Sequence, residues 1–152
     1  MDKIILVGKP NSGKSLLFNR MTGLDQRVAN FPGVTVHLKK ASWKNFELID
    51  FPGSYSLLPV TEDEKVAVVE FDKLLSDPSL QLIVCVIEST QMQRSLYLAL
   101  QVLKKAQNAK KRVVFALNMY DEILNNQLQI DYLGLQNELK VTCLPISAKT
   151  GY

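Results

Sequence analysis

Two periods of apolar residues alternate along this chain, one typical of strands and one typical of helices. Short runs rich in Val, Ile and Leu predict buried strands at residues 3–7, 81–87, 111–118 and 141–147. Residues 37–43 and 45–51 predict two more strands, close enough in sequence to form a hairpin. The pattern therefore predicts six strands in all.

Helical spacing of apolar residues fills the intervals between these strands. Residues 15–21 predict a first helix that Gly23 ends, and Thr61 and Glu64 form the Thr-x-x-Glu pattern of a helix start. The later helices are marked by Ala67, Phe71 and Leu74, by Leu96, Leu100 and Leu103, and by Tyr132, Leu135 and Leu139.

This order favours an α/β fold: a doubly wound, six-stranded, mostly parallel sheet with helices on both faces. A sheet of this kind needs a terminal helix over its last face, and no such helix is predicted before Tyr152. We therefore expect residues 1–152 to be one domain that stops before or within that helix, with no second domain in this chain.

Composition excludes several classes of protein. The 152 residues suit one globular domain, since 47% of them are hydrophobic. A formal net charge of +3 is too balanced for a nucleic-acid-binding protein. Cys85 and Cys143 lie in apolar segments without metal-ligand spacing, which predicts buried, reduced thiols in a cytosolic compartment. Because no signal peptide or membrane-length apolar run is present, we expect these residues to be soluble.

The run GKPNSGKS, between the first strand and the first helix, fits the phosphate-binding pattern GxxxxGK[ST] at every fixed position. Backbone N–H groups of such a loop point at a phosphate, and the helix N-terminus adds positive potential. Lys14 can reach the β- and γ-phosphates, the Ser15 hydroxyl can ligate Mg²⁺, and the Lys9 side chain is expected to point outward. The residues of this loop predicted to bind nucleotide are Gly8, Lys9, Pro10, Asn11, Ser12, Gly13, Lys14 and Ser15.

The NMYD run, residues 118–121, follows a predicted strand and indicates guanine as the base. A carboxylate at Asp121 can accept hydrogen bonds from the ring N–H and the exocyclic amine of guanine, both of which adenine lacks. Asn118 is expected to tie the base-binding loop to the phosphate loop, and the SAK run to offer a backbone N–H to the guanine carbonyl. The residues predicted to contact the base are Asn118, Met119, Asp121, Ser147, Ala148 and Lys149.

Two further segments predict contacts with the γ-phosphate and the metal. DFPG ends a strand, so Asp50 can hold a Mg²⁺-bound water and the Gly53 N–H can sense the γ-phosphate. The Thr35 hydroxyl, in the loop before the second strand, can complete the Mg²⁺ shell. The residues of these segments predicted to contact the nucleotide are Gly33, Val34, Thr35, Asp50, Phe51, Pro52 and Gly53.

In this order and spacing, the motifs resemble the TRAFAC class of GTP-binding domains and, more narrowly, the cytosolic G domain of the FeoB family of ferrous-iron transporters. The narrowing features are PGVTV around Thr35, DFPG followed by SYSLLP, and Met119 where most G domains have Lys. The resemblance implies a Mg²⁺-dependent GTPase domain at the cytosolic face of the bacterial inner membrane. It also implies two partners in the same full-length protein, a helical regulatory domain and a membrane domain.

The resemblance further implies how GTP is hydrolysed, by in-line attack of water on the γ-phosphate. Turnover is expected to be slow, because Ser54 follows DFPG where a water-orienting Gln is common. In place of an arginine finger, the resemblance implies a K⁺ ion held by Asn11, with backbone carbonyls near Ala29 and Phe31 as co-ligands. The residues expected to be catalytic are Asn11, Lys14, Thr35 and Gly53.

Two alternatives stay open. A soluble Era-like GTPase acting on ribosomes shares the PNxGKS loop and would carry an RNA-binding domain downstream of Tyr152. A nucleotide-gated binding module with negligible hydrolysis would use GTP only to order residues 25–36 and 54–61 for a partner. Because Trp43 is close in sequence to the first of these segments, its fluorescence is expected to report the nucleotide state.

Overall fold

The computed structural model describes residues 2–9, 12–23, 27–30, 37–51, 62–125 and 132–147. Its strands are β1 (Asp2–Val7), β2 (Arg27–Asn30), β3 (His37–Trp43), β4 (Phe46–Asp50), β5 (Leu80–Glu88), β6 (Arg112–Asn118) and β7 (Thr142–Pro145). Its helices are α1 (Lys14–Thr22), α2 (Glu62–Leu75), α3 (Met92–Asn108), α4 (Tyr120–Asn125) and α5 (Tyr132–Leu139).

All the strands of the described residues belong to one sheet, in the order β2-β3-β4-β1-β5-β6-β7. Neighbours from β4 to β7 are parallel, whereas β2, β3 and β4 pair antiparallel. The six predicted strands and the hairpin are confirmed. The structure adds β2, a four-residue edge strand that pairs with β3 and that the apolar pattern does not predict.

Helices cover both faces of the sheet, as the alternation of elements predicts. On one face, Phe18 of α1 packs against Leu6 and Leu48 in a small core. On the other face, α2 and α3 bury residues such as Phe71 against Phe115 and the rest of a larger core. These two cores hold β1 in the middle of the sheet, so the loop that follows β1 starts from a fixed strand end.

The buried face of α3 differs from the predicted one. Leu103 is buried and Leu96 packs against the core, but Leu100 is 44% exposed. The helix buries Leu98, Ala99, Val102 and Ala106 as well. The contact face is therefore shifted from the predicted Leu spacing, and it includes small side chains, which let a helix approach a sheet closely.

Both cysteines are free and buried, as predicted. Cys85, Phe115 and Cys143 lie side by side on neighbouring strands β5, β6 and β7. Two strand spacings of about 4.8 Å separate the cysteines by roughly 10 Å, which is too far for a disulfide. Burial raises the pKa of both thiols, that of Cys85 to about 12. Among the described helices, none combines the length and the apolar character needed to cross a membrane.

Candidate nucleotide-binding site

The carboxyl ends of four strands meet at one edge of the sheet. Leu6 near the end of β1 lies opposite Asp50 of β4, and Glu88 at the end of β5 lies opposite Asn118 of β6. The loop after β1 therefore begins between the ends of β4 and β5. This arrangement brings the phosphate loop together with Asp50 of DFPG and Asn118 of NMYD. Open α/β sheets bind their ligands at this position, beyond the carboxyl ends of the strands.

Close packing explains the two glycines of the phosphate loop. A Cβ atom on Gly8 would lie 2.8 Å from Ser12 Oγ and 2.9 Å from the carbonyl oxygen of Val86. Gly13 has a φ of +86°, and a Cβ atom there would overlap the side-chain amide of Asn118. Only glycine fits both positions, because one needs a close backbone approach and the other needs a left-handed conformation as well.

The Ser12 side chain is a second sign of an anion site. Its hydroxyl is buried and has no hydrogen-bond partner in the part of the chain that the structure describes. An unpaired buried hydroxyl is costly, so it indicates a group that a ligand can satisfy. The loop closes around it, with the Ser12 N–H donating to the carbonyl oxygen of Lys9 at 3.3 Å.

Asn118 ties the two motifs together, as predicted. Its side-chain amide donates a hydrogen bond to the carbonyl oxygen of Ser12, at 2.9 Å, and the residue is only 2% exposed. The next residue, Met119, has a φ of +61°. Its Cε atom lies 3.7 Å from the position that a Cβ atom would take on Gly13. Met119 thus spans from the base-binding segment to the phosphate loop by an apolar contact.

A cavity of about 130 Å³ opens beside this contact. Asp121 lines it from the first turn of α4, a helix that the sequence pattern does not predict because six residues are too few to establish a period. The full lining consists of Gly13, Leu16, Asn118, Met119, Asp121, Glu122 and Ser147. Of these, the sequence interpretation misses Leu16 and Glu122. Only the structure identifies Leu16, which is 44% exposed on the first turn of α1.

Lys14 and Asp50 form a buried ion pair at the same edge of the sheet. Lys14 begins α1, and Asp50 ends β4. Ser15 is exposed beside them, at the start of α1. The pair therefore places the predicted phosphate-binding ammonium next to the predicted carboxylate of the Mg²⁺ site. A hydroxyl and a carboxylate are hard oxygen donors, which suits Mg²⁺.

The prediction for the Lys9 side chain is wrong. Lys9 is 6% exposed, and its ammonium contacts the carboxylate of Glu88. The sequence alone gives no reason to connect these residues, which lie 79 positions apart. They meet because β1 and β5 are parallel neighbours, so that the residues just after or at their carboxyl ends lie together.

Several predicted site residues lie outside the described residues: Pro10, Asn11, Phe31, Gly33, Val34, Thr35, Pro52, Gly53, Ala148 and Lys149. Ala29 is described, in β2. Three strand spacings separate β2 from β1, or roughly 14 Å. In this arrangement, therefore, the structure does not bring Ala29 to the phosphate loop.

The structure also contradicts the reason given for a fluorescence response of Trp43. Trp43 ends β3, pairs with Phe46 and lies level with Asp2, at the start of β1. This is the opposite edge of the sheet from the phosphate loop. Proximity in sequence to the switch segment is misleading here, because β3 runs away from the candidate site.

A larger cavity, of about 500 Å³, lies at that opposite edge, near the amino ends of β6 and β7. Its charged lining residues are Lys111, Arg112 and Lys140, with apolar residues such as Val114 between them. Among the described residues that line it there is no carboxylate to read a guanine edge, so we place the nucleotide site at the smaller cavity beside the phosphate loop. Within the described residues, no cluster of three or more His, Cys, Asp or Glu side chains could hold a metal ion.

Comparison with known proteins gives one consistent result. Residues 2–152 match the family model described as ferrous iron transport protein B. The Fe(2+) transporter FeoB of Staphylococcus aureus (strain COL) is 36% identical over 99% of this chain, which covers 22% of that protein. The FeoB of Campylobacter jejuni is 38% identical over 97% of this chain, which covers 24% of that protein. The chain thus spans less than a quarter of the length of these relatives.

Solved structures agree with the sequence matches. A mutant S. thermophilus NFeoB bound to GDP has a TM-score of 0.87 and 38% identity, over 99% of this chain and 57% of that one. The cytosolic domain of the T. maritima FeoB iron transporter in its GMPPNP form has a TM-score of 0.84 and 39% identity, over 99% and 58% respectively. Both relatives were crystallised with a guanine nucleotide or its analogue.

Proposed function

This chain belongs to the FeoB family of ferrous iron transport proteins, and on that premise we propose that it binds GTP and GDP and hydrolyses GTP slowly, as the switch domain of an iron transporter. One observation carries the proposal: the hydrogen bond from Asn118 to the carbonyl oxygen of Ser12. This bond fixes the base-binding residues relative to the phosphate loop, so one guanine nucleotide can engage both. The family match gives no support to the Era-like alternative.

The proposed binding uses residues of the phosphate loop and of the cavity beside it. The N–H groups of the phosphate loop and the Lys14 ammonium hold the β- and γ-phosphates, and the Ser12 hydroxyl, which has no partner among the described residues, can donate to the same anion. The guanine ring enters the cavity between Leu16 and Met119, and the Asp121 carboxylate accepts hydrogen bonds from its edge.

Ser15 and Thr35 would hold Mg²⁺ directly, and Asp50 would hold it through a water. When bound, the ion would neutralise negative charge on the phosphates. For hydrolysis, Lys14 stabilises the charge that develops on the phosphoryl oxygens, and the Gly53 N–H senses the γ-phosphate. We assign K⁺ to Asn11. Ala29 is held in β2, three strand spacings from β1, and is not a co-ligand in this arrangement.

We propose that this domain works at the cytosolic face of a bacterial inner membrane, joined to helical regulatory and membrane domains of the same protein. The relatives are more than four times as long as the chain, which leaves room for such domains. On the α1 face, Leu82 and Val84 are half-buried and Leu144 is 48% exposed. A helix following the domain would cover these residues.

Calorimetry with GDP, GTP and ATP, followed by single-turnover phosphate release in K⁺, tests the proposal. We expect guanine nucleotides to bind and ATP not to bind, and phosphate to be released more slowly than the typical ~10 s⁻¹ of enzymes. Lys14→Ala should abolish both binding and release. Binding of GTP without any phosphate release would instead support the nucleotide-gated binding module, and equal binding of ATP and GTP would refute the proposal.

A further inference from the structure

The ion pair of the buried Lys9 and the partly buried Glu88 has no part in the proposed mechanism. The two side chains are 5% and 15% exposed, respectively. Lys9 is the second residue of the phosphate loop, and Glu88 is the last residue of β5. Taking two charges out of water offsets most of the energy of their attraction, so a buried pair contributes little stability by itself. Its effect is better sought in the conformation that it selects.

Glu88 is itself held in place. Its backbone N–H donates to the Ser95 hydroxyl of α3 at 3.1 Å, and Thr90 Oγ1 lies 3.4 Å from its Oε1 atom. Its strand partner is Asn118, the residue that ties the other end of the phosphate loop. The carboxylate therefore starts from a fixed strand end, not from a flexible loop.

The phosphate loop is consequently attached at two points. Asn118 holds the carbonyl of Ser12, and Glu88 holds the side chain of Lys9. Between them, the Ser12 N–H donates to the carbonyl oxygen of Lys9, which links the two attachments. The N–H groups of Gly13 and Lys14 follow directly after Ser12, so the two attachments limit where these groups can point.

We propose that Glu88 is a positioning residue, which acts through Lys9 to hold the phosphate loop in its anion-binding conformation. The inference rests on the proposed nucleotide binding. A loop that is already in its binding conformation loses less entropy when the phosphates bind. Removing either partner should therefore weaken nucleotide binding, even though Glu88 is an acid and would repel a phosphate that it met directly.

Three variants test this: Lys9→Met, Glu88→Gln and the two combined. We expect each single change to weaken GDP binding by about tenfold to a hundredfold, the usual effect of losing a charge-assisted hydrogen bond. The double variant should lose no more GDP affinity than the single variant that binds GDP more weakly, because each partner acts through the other. Lys9→Arg, which keeps the charge and the donor, should recover most of the affinity.

Lys3→Met is the matched control. Lys3 lies at the start of β1, the strand that leads into the phosphate loop, and it pairs with Asp77 at 2.7 Å. This change should lower the melting temperature and leave the GDP dissociation constant unchanged. Thermal unfolding without nucleotide, measured for every variant, ensures that only folded protein is compared.

Three results would overturn the inference. Unchanged GDP affinity in Glu88→Gln would show that the carboxylate does not position the loop. Weakened binding in Lys9→Met together with tighter binding in Glu88→Gln would show that Lys9 meets the phosphates directly. Multiplied losses in the double variant would show that the residues act independently. A wild-type protein that binds no GDP would refute the proposed function as well, whereas wild-type binding with unaffected variants refutes the positioning role alone.

Discussion

The terminal methyl group of Met119 reaches the phosphate loop and lies 3.7 Å from the position that a Cβ atom would take on Gly13. In most G domains this residue is a Lys, whose ammonium can donate to the same loop. Met keeps the apolar contact but has neither a charge nor a donor. The link between the base-binding segment and the loop therefore rests on Asn118 and on apolar packing.

We predict that Met119, where most G domains have Lys, makes nucleotide release fast. A charge-assisted hydrogen bond contributes about 1.5–3 kcal/mol, so its absence weakens binding by roughly one to two powers of ten, mostly through the off-rate. Met119→Lys should slow the release of a fluorescent GDP analogue by that factor in a stopped-flow experiment. Wild-type release over many minutes, unchanged or faster in Met119→Lys, would contradict the prediction.

Asp121 should set the base preference. Asp121→Asn replaces an acceptor by an amide that can donate to the carbonyl that xanthine carries in place of the guanine amine. We expect the preference to shift from GDP to xanthosine diphosphate, and wild-type discrimination against ATP on the order of 10⁴. Glu122→Gln is the control, because Glu122 lines the same cavity on the next residue of α4. A shift of preference in the control and not in Asp121→Asn would reverse the assignment.

GTP hydrolysis should be faster in K⁺ than in Na⁺ at equal ionic strength. A larger monovalent ion at Asn11 would offset the charge that builds on the phosphate oxygens in the transition state, and losing one such group costs roughly 10²–10³ in rate. Asn11→Ala should remove the difference between the salts and leave GDP binding nearly intact. Equal wild-type rates in both salts would exclude this role of K⁺.

The ion pair at the far end of β1 should make stability depend on pH. Hydrogen bonds from Lys3 and then from Ser79 hold the pKa of Asp77 well below its usual range. A depressed pKa in the folded state stabilises the fold above the ordinary pKa of about 4, and this contribution is lost as the pH falls further. Asp77→Asn should therefore lower the melting temperature at pH 7, by an amount that shrinks towards pH 3.

Asp72→Asn is the control for this pH dependence. Asp72 pairs with Lys105 at 2.8 Å, but its side chain is 51% exposed, so solvent screens the interaction. Its melting temperature should stay close to that of the wild type at both pH values. A difference between Asp77→Asn and wild type that does not change with pH would show that the carboxylate charge is not the cause.

The sequence predicts most of the fold because the apolar periods of β1, β5 and β6 are strong and local. It also predicts that Asn118 bonds to the phosphate loop, because the residue types and spacing of the NMYD motif indicate that contact directly. It misses β2 and α4, which are too short to establish a period. It fails at Lys9 because the side-chain direction depends on a carboxylate brought near by sheet pairing, and no local pattern encodes that.

Cys85 and Cys143, which flank Phe115 on three neighbouring strands, can serve as chemical probes of how often the fold opens. Both thiols are buried, so an alkylating reagent reaches them only when the fold opens at β5 or at β7. A ligand that binds only the folded form lowers the open population by a factor of 1 + [L]/Kd. As the GDP concentration rises, the rate of cysteine alkylation should therefore fall in proportion to the fraction of nucleotide sites that stays empty. Mass spectrometry could then follow nucleotide binding without any label on the protein or the nucleotide.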